Sequence, residues 1–458
     1  MEYHDLLARQ QAAVQDGYLP ASRRLRWPAE RLAQERERRL RELLTWSVKR
    51  SPFHRSRLKD VDVASFTEAD LPTLPIMTRA DLMGEFDRIV TDPELTLDVV
   101  NAHVDAVDED TYLLDQYRTI ATSGTTGVRA IFVYGWDDWI AFYLLATRWP
   151  SPDHGAQAPP PSRESMATMY ASNTRHISGA LHAFSRGMDD RGTQVTHLPA
   201  TLPLPDIVTG FNAARPTILQ GYPTAIQLLA LEAIDGRLQI SPRKVLTCGE
   251  QCTEEIRTAV RDAWGVEIDD AWGCSEGAYA FPCTAGRAMH LPDDFAIIEP
   301  CDREGNVLPP GTPAEKILLT NLYNRTQPLI RYEIADGMTL LDGVCECGCA
   351  HRRIDGLSGR TDTFFRYKDG VAVHPMGMTT ALLGGDGVVE YQVSQTLGGA
   401  DVRVVCDHTC DLEHLRINLV ATMEQAGLRQ PQVTIASVDT IERLWSGKLK
   451  QFHPLATA

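Results

Sequence analysis

What the 458-residue sequence lacks narrows it first. No apolar run approaches the ~20 residues that a bilayer-spanning helix needs, so no membrane span is expected. The opening residues, MEYHDLLARQQ, hold no basic patch followed by an apolar core. A secretory signal is therefore not expected, and the chain reads as cytoplasmic. Basic residues are in deficit: 45 Lys and Arg face 61 Asp and Glu, for a net charge of −16. That balance argues against nucleic acid or an anionic membrane as partner. It leaves room for an anionic nucleotide, because a local loop can hold phosphate whatever the net charge. Internal repeats, low-complexity segments and a Gly-Lys-Ser/Thr phosphate loop are also missing.

What is present is an ordinary globular composition, 43% hydrophobic and 23% charged. The length exceeds what one core usually organises, so at least two domains are expected. There are ten cysteines, several of them between Cys283 and Cys349. In a reducing compartment such clustering points to metal ligation more than to disulfides.

Residues 29–50 place Leu32, Leu40, Leu43, Leu44 and Val48 at helical spacing, which predicts an amphipathic helix. Thr78 suits the cap of a later helix. Residues 117–134 read as strand, Ser/Thr/Gly loop, strand. From about 160 to 300, short apolar runs alternate with helical patterns, which predicts βαβ units. Strand patterns at VVEYQVSQT, DVRVVCD and PQVTIASV, with a helix at LEHLRINLVATMEQAG, predict a smaller closing unit. The fold class is α/β. A large N-terminal domain with mixed, mostly parallel sheets and helices spans 1–358, a Gly-containing polar turn at 359–362 is the pivot, and a small α+β domain spans 363–458.

Four motifs carry chemistry. Thr122-Ser123-Gly124-Thr125-Thr126-Gly127 offers hydroxyls and backbone N–H groups to phosphate, or is a polar hairpin. Trp272-Gly273-Cys274-Ser275-Glu276 follows an apolar strand. Its Glu276 can hold Mg²⁺ through oxygen, or Ser275 can be a helix N-cap. Pro328-Leu329-Ile330-Arg331-Tyr332 with Asp336 offers a carboxylate to ribose hydroxyls, or a strand-end pair of Arg331 with Asp336. Ser446-Gly447-Lys448 offers a point charge to a developing negative charge, or a surface lysine.

In this order, and together with Gly359-Arg360-Thr361-Asp362, the motifs resemble the acyl/aryl-CoA ligase and adenylation-domain superfamily, most closely its phenylacetate–CoA ligase branch. The resemblance runs from about residue 30 to the end. It implies a fold of a large domain and a swinging small one, and activation of a carboxylic acid, aromatic in this branch, by ATP to acyl-AMP. It makes residues 122–127 the phosphate loop and Gly249-Glu250-Gln251 the strip along adenine. Trp272, Gly273 and Ser275 would contact the nucleotide, Glu276 the Mg²⁺ and Asp336 the ribose. Arg360 would lie near phosphate, Asp362 would be the hinge and Lys448 the adenylation lysine. The acid pocket would be lined by Asn173, His176, Gly221, Tyr222 and Ala271. His176 also reads as a satisfied structural histidine.

Two departures stand out. The phosphate loop continues as Val128-Arg129 where the family has Pro-Lys, and the stretch after the hinge, FFRYKDGVAVHPMGM, departs from the branch. The second bears on the acceptor. Coenzyme A is the default, while an amine, nitrite or a carrier-protein thiol belongs to related enzymes. A non-catalytic nucleotide-binding regulator is the reading from another class, and intact Lys448, Glu276 and Asp336 weigh against it. Homodimerisation is left open.

Cys283, His290, Cys345 and Cys347 form a separate constellation. Cys345-Glu346-Cys347-Gly348 is a tight turn that can offer two thiolates to one metal. Three sulfurs and one nitrogen would make a closed, structural zinc site. Some members of the branch resemble this arrangement. Cys349 and His351 remain alternative ligands.

Overall fold

The computed structural model describes residues 2–455 apart from 108, 123–128, 149–163, 171–172, 189–193, 201, 251, 253, 359–364, 374, 384–386, 407 and 442–450. Most of the phosphate loop, Gln251, the 359–362 turn with Arg360 and Asp362, and Lys448 therefore lie outside the described residues. Among those described, no helix is long and apolar enough to cross a membrane.

The chain opens with a helix, Tyr3–Arg23, that the sequence patterns did not single out. Its hydrophobic face is interrupted by Gln10 and Gln11, both buried and both bonded to backbone carbonyls of other elements. The expected helix follows at Ala29–Arg50, with Leu32, Leu40, Leu43 and Leu44 buried. Thr78 caps the helix Arg79–Gly84 in a reciprocal box with Asp81.

A hairpin of β1 (Arg118–Ala121) and β2 (Ile131–Tyr134) frames the Ser/Thr/Gly loop. Next come β3 (Ser165–Met169), β4 (Gln194–His197), β5 (Ile218–Gly221), β6 (Lys244–Cys248) and β7 (Ile268–Cys274). They lie side by side in the order β4-β3-β5-β6-β7, all parallel. Helices such as Pro223–Ile234 and Glu254–Trp264 make the crossovers that parallel pairing demands. From β7 onward the same nine-stranded sheet turns antiparallel, through β8 (Ala278–Pro282), β9 (Met289–His290), β14 (Arg353–Ser358) and β13 (Gly337–Leu341). The reason is local: residues 275–277 are a turn, too short for a crossover. A second sheet of β10 (Ala296–Cys301), β11 (Lys316–Asn321) and β12 (Tyr332–Ile334) is wholly antiparallel.

The last segment has its own apolar centre. Phe365, Tyr367, Tyr391, Val393, Val402, Val404, Leu419, Met423 and Phe452 pack together. Around them lie a small hairpin, β15 (Phe365–Arg366) and β16 (Ala372–Val373), and a four-stranded sheet of β17 (Val388–Thr396), β18 (Gly399–Cys406), β19 (Gln432–Ser437) and β20 (Phe452–His453). The three strand patterns and the helix, Leu412–Gln425, fall where the sequence placed them.

Candidate active site

The Ser/Thr/Gly loop leaves the β1–β2 hairpin with its mouth closed by the Thr122 N–H on the Ala130 carbonyl at 2.9 Å. Arg129, at the loop's edge, pairs with Asp105 at 2.7 Å, as an ordinary surface arginine would. The other end of β2 reaches the second motif. The Tyr134 hydroxyl donates to the Ser275 carbonyl at 2.5 Å.

Ser275, Glu276 and Gly277 are the turn between antiparallel β7 and β8, with Cys274 opposite Ala278. A helix N-cap at Ser275 is thereby excluded, because the chain turns back into a strand. The turn is held from the β11 side: Asn321 Nδ2 donates to the Glu276 carbonyl at 3.0 Å, and the Tyr323 hydroxyl to the Gly277 carbonyl at 2.9 Å. Gly277 has φ +99°, and a Cβ there would stand 2.2 Å from Asn321 Nδ2. Glu276 is buried. Burial first, and the nearby Glu276 charge after it, raise the Tyr332 phenol and the Cys274 thiol above their ordinary values.

The third motif joins here. The Trp272 indole N–H donates to Asp336 Oδ2 at 3.0 Å, tying two motifs 64 residues apart. Both residues are buried. Arg331 does something else. Its guanidinium donates to Glu299 at 3.2 Å and to the Leu74 carbonyl at 2.6 Å. The strand-end pair with Asp336 is corrected by this geometry. Arg331 instead carries a left-handed backbone, φ +52°, in which its carbonyl accepts the Met77 N–H at 3.0 Å. His54 supports the same motif by an Nε2 bond of 3.0 Å to the Pro328 carbonyl.

On the other side, Gly249 follows β6 with φ +94° and precedes buried Glu250. Asn173 and His176 lie on the turn that enters the helix Ile177–Ser185. Asn173 Oδ1 accepts the Arg175 N–H at 2.8 Å, and the Arg175 carbonyl accepts the Ala121 N–H at 2.8 Å. Burial holds the His176 imidazole down to about 4, hence neutral at pH 7, and its ring bonds the Ala121 backbone. Both side chains thus have structural partners beside the loop mouth. Tyr222 follows Gly221, and Ala271 pairs with Cys248 across β7 and β6.

The Cys/His constellation assembles. The ligand atoms of Cys283, His290, Cys345 and Cys347 all lie within 4.8 Å of one another. Cys283 Sγ and Cys345 Sγ are 3.3 Å apart, as are Cys347 Sγ and His290 Nε2. His290 Nδ1 lies 2.9 Å from the His351 carbonyl, which orients Nε2 inward. The two alternatives point elsewhere: Cys349 Sγ to the Leu25 carbonyl, and the His351 ring to the Leu291 and Arg24 carbonyls.

Tyr134, Asn321, Tyr323 and His54 were not foreseen. Each is an ordinary strand, loop or helix residue in sequence and gains its role only through a partner at least 45 positions away.

No family model matches the chain. A phenylacetate–coenzyme A ligase of Thermus thermophilus is 27% identical over 395 residues, 82% of each chain. The CapK protein of Staphylococcus aureus is 22% identical over 174 residues, 37% of each. Among solved structures, 2-hydroxyisobutyryl-CoA ligase in an open conformation with 2-HIB-AMP and CoA superposes with a TM-score of 0.58 at 18% identity, over 94% of this chain and 93% of that one. The same ligase in its postadenylation state gives a TM-score of 0.58 at 17% identity, over 95% and 92%. By sequence the chain is a homologue of phenylacetate–coenzyme A ligase, and its fold is that of the 2-hydroxyisobutyryl-CoA ligase structures.

Proposed function

We propose that the chain uses ATP to convert a carboxylic acid to its acyl-adenylate, releasing pyrophosphate, and then transfers the acyl group to coenzyme A. The observation that carries this is the Trp272–Asp336 bond, which joins the nucleotide motif ending in Glu276 to the ribose motif. On this reading Asp336 accepts the ribose hydroxyls. Gly249, Glu250 and Gln251 lie along adenine, and residues 122–127 cradle the phosphates. The acid's carboxylate attacks the α-phosphorus in line, and pyrophosphate leaves. Lys448 and Arg360 meet the charge that builds on phosphorus. Glu276 suits a magnesium ion, since it is a buried carboxylate on a turn fixed by three hydrogen bonds. Such an ion would neutralise phosphate charge.

The domain reading is part of the proposal: 1–358 as the body, 359–362 as the hinge, 363–458 as the swinging domain. The separate core and sheet of residues 365–453 support it. Rotation about Asp362 would withdraw Lys448 after adenylation and admit the thiol.

The Cys283, His290, Cys345 and Cys347 set fits structural zinc. Tetrahedral bonds of ~2.3 Å to sulfur put neighbouring ligand atoms roughly 3.8 Å apart, within the observed spread. Four protein ligands leave no position for water, so the role is structural. Pyrophosphate release from ATP across a panel of acids, without and then with coenzyme A, tests the function. No acid-dependent release would defeat it. Release without any thioester would keep adenylation and move the acceptor to another nucleophile.

A further inference from the structure

Three phenol rings and a thiol meet beyond the carboxyl ends of β3, β5 and β6, the edge at which open parallel sheets take ligands. Tyr170 and Tyr222 pack edge to face, with centroids 4.9 Å apart. The Tyr222 ring lies where Gly249 would carry a side chain: a Cβ there would meet its Cε1 at 3.3 Å and Cδ1 at 3.4 Å. The Tyr279 ring does the same to Gly273, where a Cβ would meet its Cδ2 at 2.7 Å and Cε2 at 3.1 Å and Cys248 Sγ at 3.5 Å.

The rings are braced. Tyr279 is hydrogen-bonded to Cys248, and Tyr170 to Gln220. The Tyr222 hydroxyl shares a bond of 3.0 Å with Ser178 Oγ, at the start of the helix Ile177–Ser185. Tyr222 is 5% and Tyr279 8% exposed.

A glycine beside a ligand normally leaves room for close approach. At Gly249 and Gly273 that room is filled by the protein's own rings, which rest on other buried groups and cannot yield without loss of packing. The rings thus narrow the room beside both glycines, and the Tyr222 hydroxyl meets that of half-buried Ser178 at the start of the helix. We propose that Tyr222 and Tyr279 restrict the acid to a short carboxylic acid bearing a hydroxyl, keto or amino group, which Ser178 and Tyr222 bond, and that they exclude arylacetic acids and longer acyl chains. This rests on the adenylation reading, and it replaces the aromatic acid that the resemblance implies.

The test is acid-dependent ATP–pyrophosphate exchange with lactate, pyruvate and 3-hydroxybutyrate against phenylacetate, 4-hydroxybenzoate and hexanoate. The wild type should favour the short polar acids by about 10-fold or more in kcat/KM, a ratio that pocket contacts can supply. Tyr279→Ala or Tyr222→Ala should shift the phenylacetate-to-lactate ratio upward by about 10-fold or more. Tyr222→Phe keeps the ring and guards against misfolding. It should retain the size limit and lose the preference of lactate over propanoate. A wild type that prefers phenylacetate or hexanoate overturns the proposal and leaves adenylation standing. Unchanged ratios in folded Tyr variants overturn it too. Silence with every acid, in wild type and variants alike, defeats the adenylation reading instead.

Discussion

Asp336 shows how folding decides between two partners for a single residue. In sequence it stands five positions from Arg331, and a surface pair is the plain expectation. Folded, both are buried and go to different partners, Asp336 to Trp272 and Arg331 to Glu299. Asp336→Ala should weaken ATP binding, because charge-assisted bonds to hydroxyls are worth roughly 1.5–3 kcal/mol each. Calorimetric titration with ATP measures this, and unchanged affinity would remove Asp336 from the ribose site. Histidines give a second residue-scale expectation. Burial lowers His54 to about 3 and His176, His182 and His197 to about 4. These lie below the unfolded value of 6.5, so the unfolded state binds more protons between them. Stability should therefore be level above pH 6.5 and fall as pH drops toward 4. His54→Gln, which keeps a donor for the Pro328 carbonyl, should flatten the acid side of a denaturation midpoint against pH plot. An identical slope would mean that His54 is protonated in the fold or does not set the acid limit.

Two elements are held by contacts that their own sequences do not reveal. The Ser275–Gly277 turn is one. Gly277→Ala would put a Cβ into Asn321 and Tyr323 and force a left-handed backbone on alanine. A strained backbone of this kind costs of order 1–3 kcal/mol. The expected result is a lower melting temperature together with loss of pyrophosphate release, since the Glu276 turn must shift. A fully active, equally stable variant would show that the turn tolerates displacement. The metal loops are the other. Cys283 and His290 follow the Glu276 motif, while Cys345 and Cys347 lie between β13 and β14, ahead of residues 359–362 in the chain. A metal there would clamp both regions. Purified protein grown with zinc should carry about one equivalent. Chelation or Cys345→Ser should lower thermal stability, with activity falling only as that region loosens. Less than about a tenth of an equivalent in fresh protein would argue against the site, and full zinc in Cys345→Ser would move the ligand set to Cys349 or His351.

At the scale of the whole molecule, the expectation is a division of labour between a body and a small domain. If Lys448 serves one of two arrangements, Lys448→Ala should lose adenylation by about 10²–10³, the usual worth of one donor to a developing charge. Conversion of a preformed acyl-adenylate to the thioester should remain largely intact. Equal loss in both half-reactions would point to a lysine used throughout the cycle. Normal adenylation would take the role from Lys448 altogether. The core around Phe365, Tyr391 and Phe452 is compatible with such motion, because its buried residues are distinct from those of the larger sheet, against which Ala372 alone of the hydrophobics in this unit packs among the described residues.

The sequence by itself determined the periodic elements and which residue types are there to carry chemistry. Helix 29–50, the parallel run β3 to β7 and the strands of the closing unit follow from spacing, because apolar period and chain reversal are local properties. The grouping of Cys283, His290, Cys345 and Cys347 was also legible, since two of them sit in one tight turn. Only the tertiary structure decided which of these residues meet. Trp272 reaching Asp336, Tyr134 reaching Ser275, and Tyr222 and Tyr279 filling the glycine faces are contacts between segments of different strands or loops. Their partners are fixed by sheet order and by the antiparallel turn after β7, and no local pattern encodes either. The N-terminal helix escaped for the same reason: its buried Gln10 and Gln11 break the apolar stripe and are satisfied only by distant carbonyls.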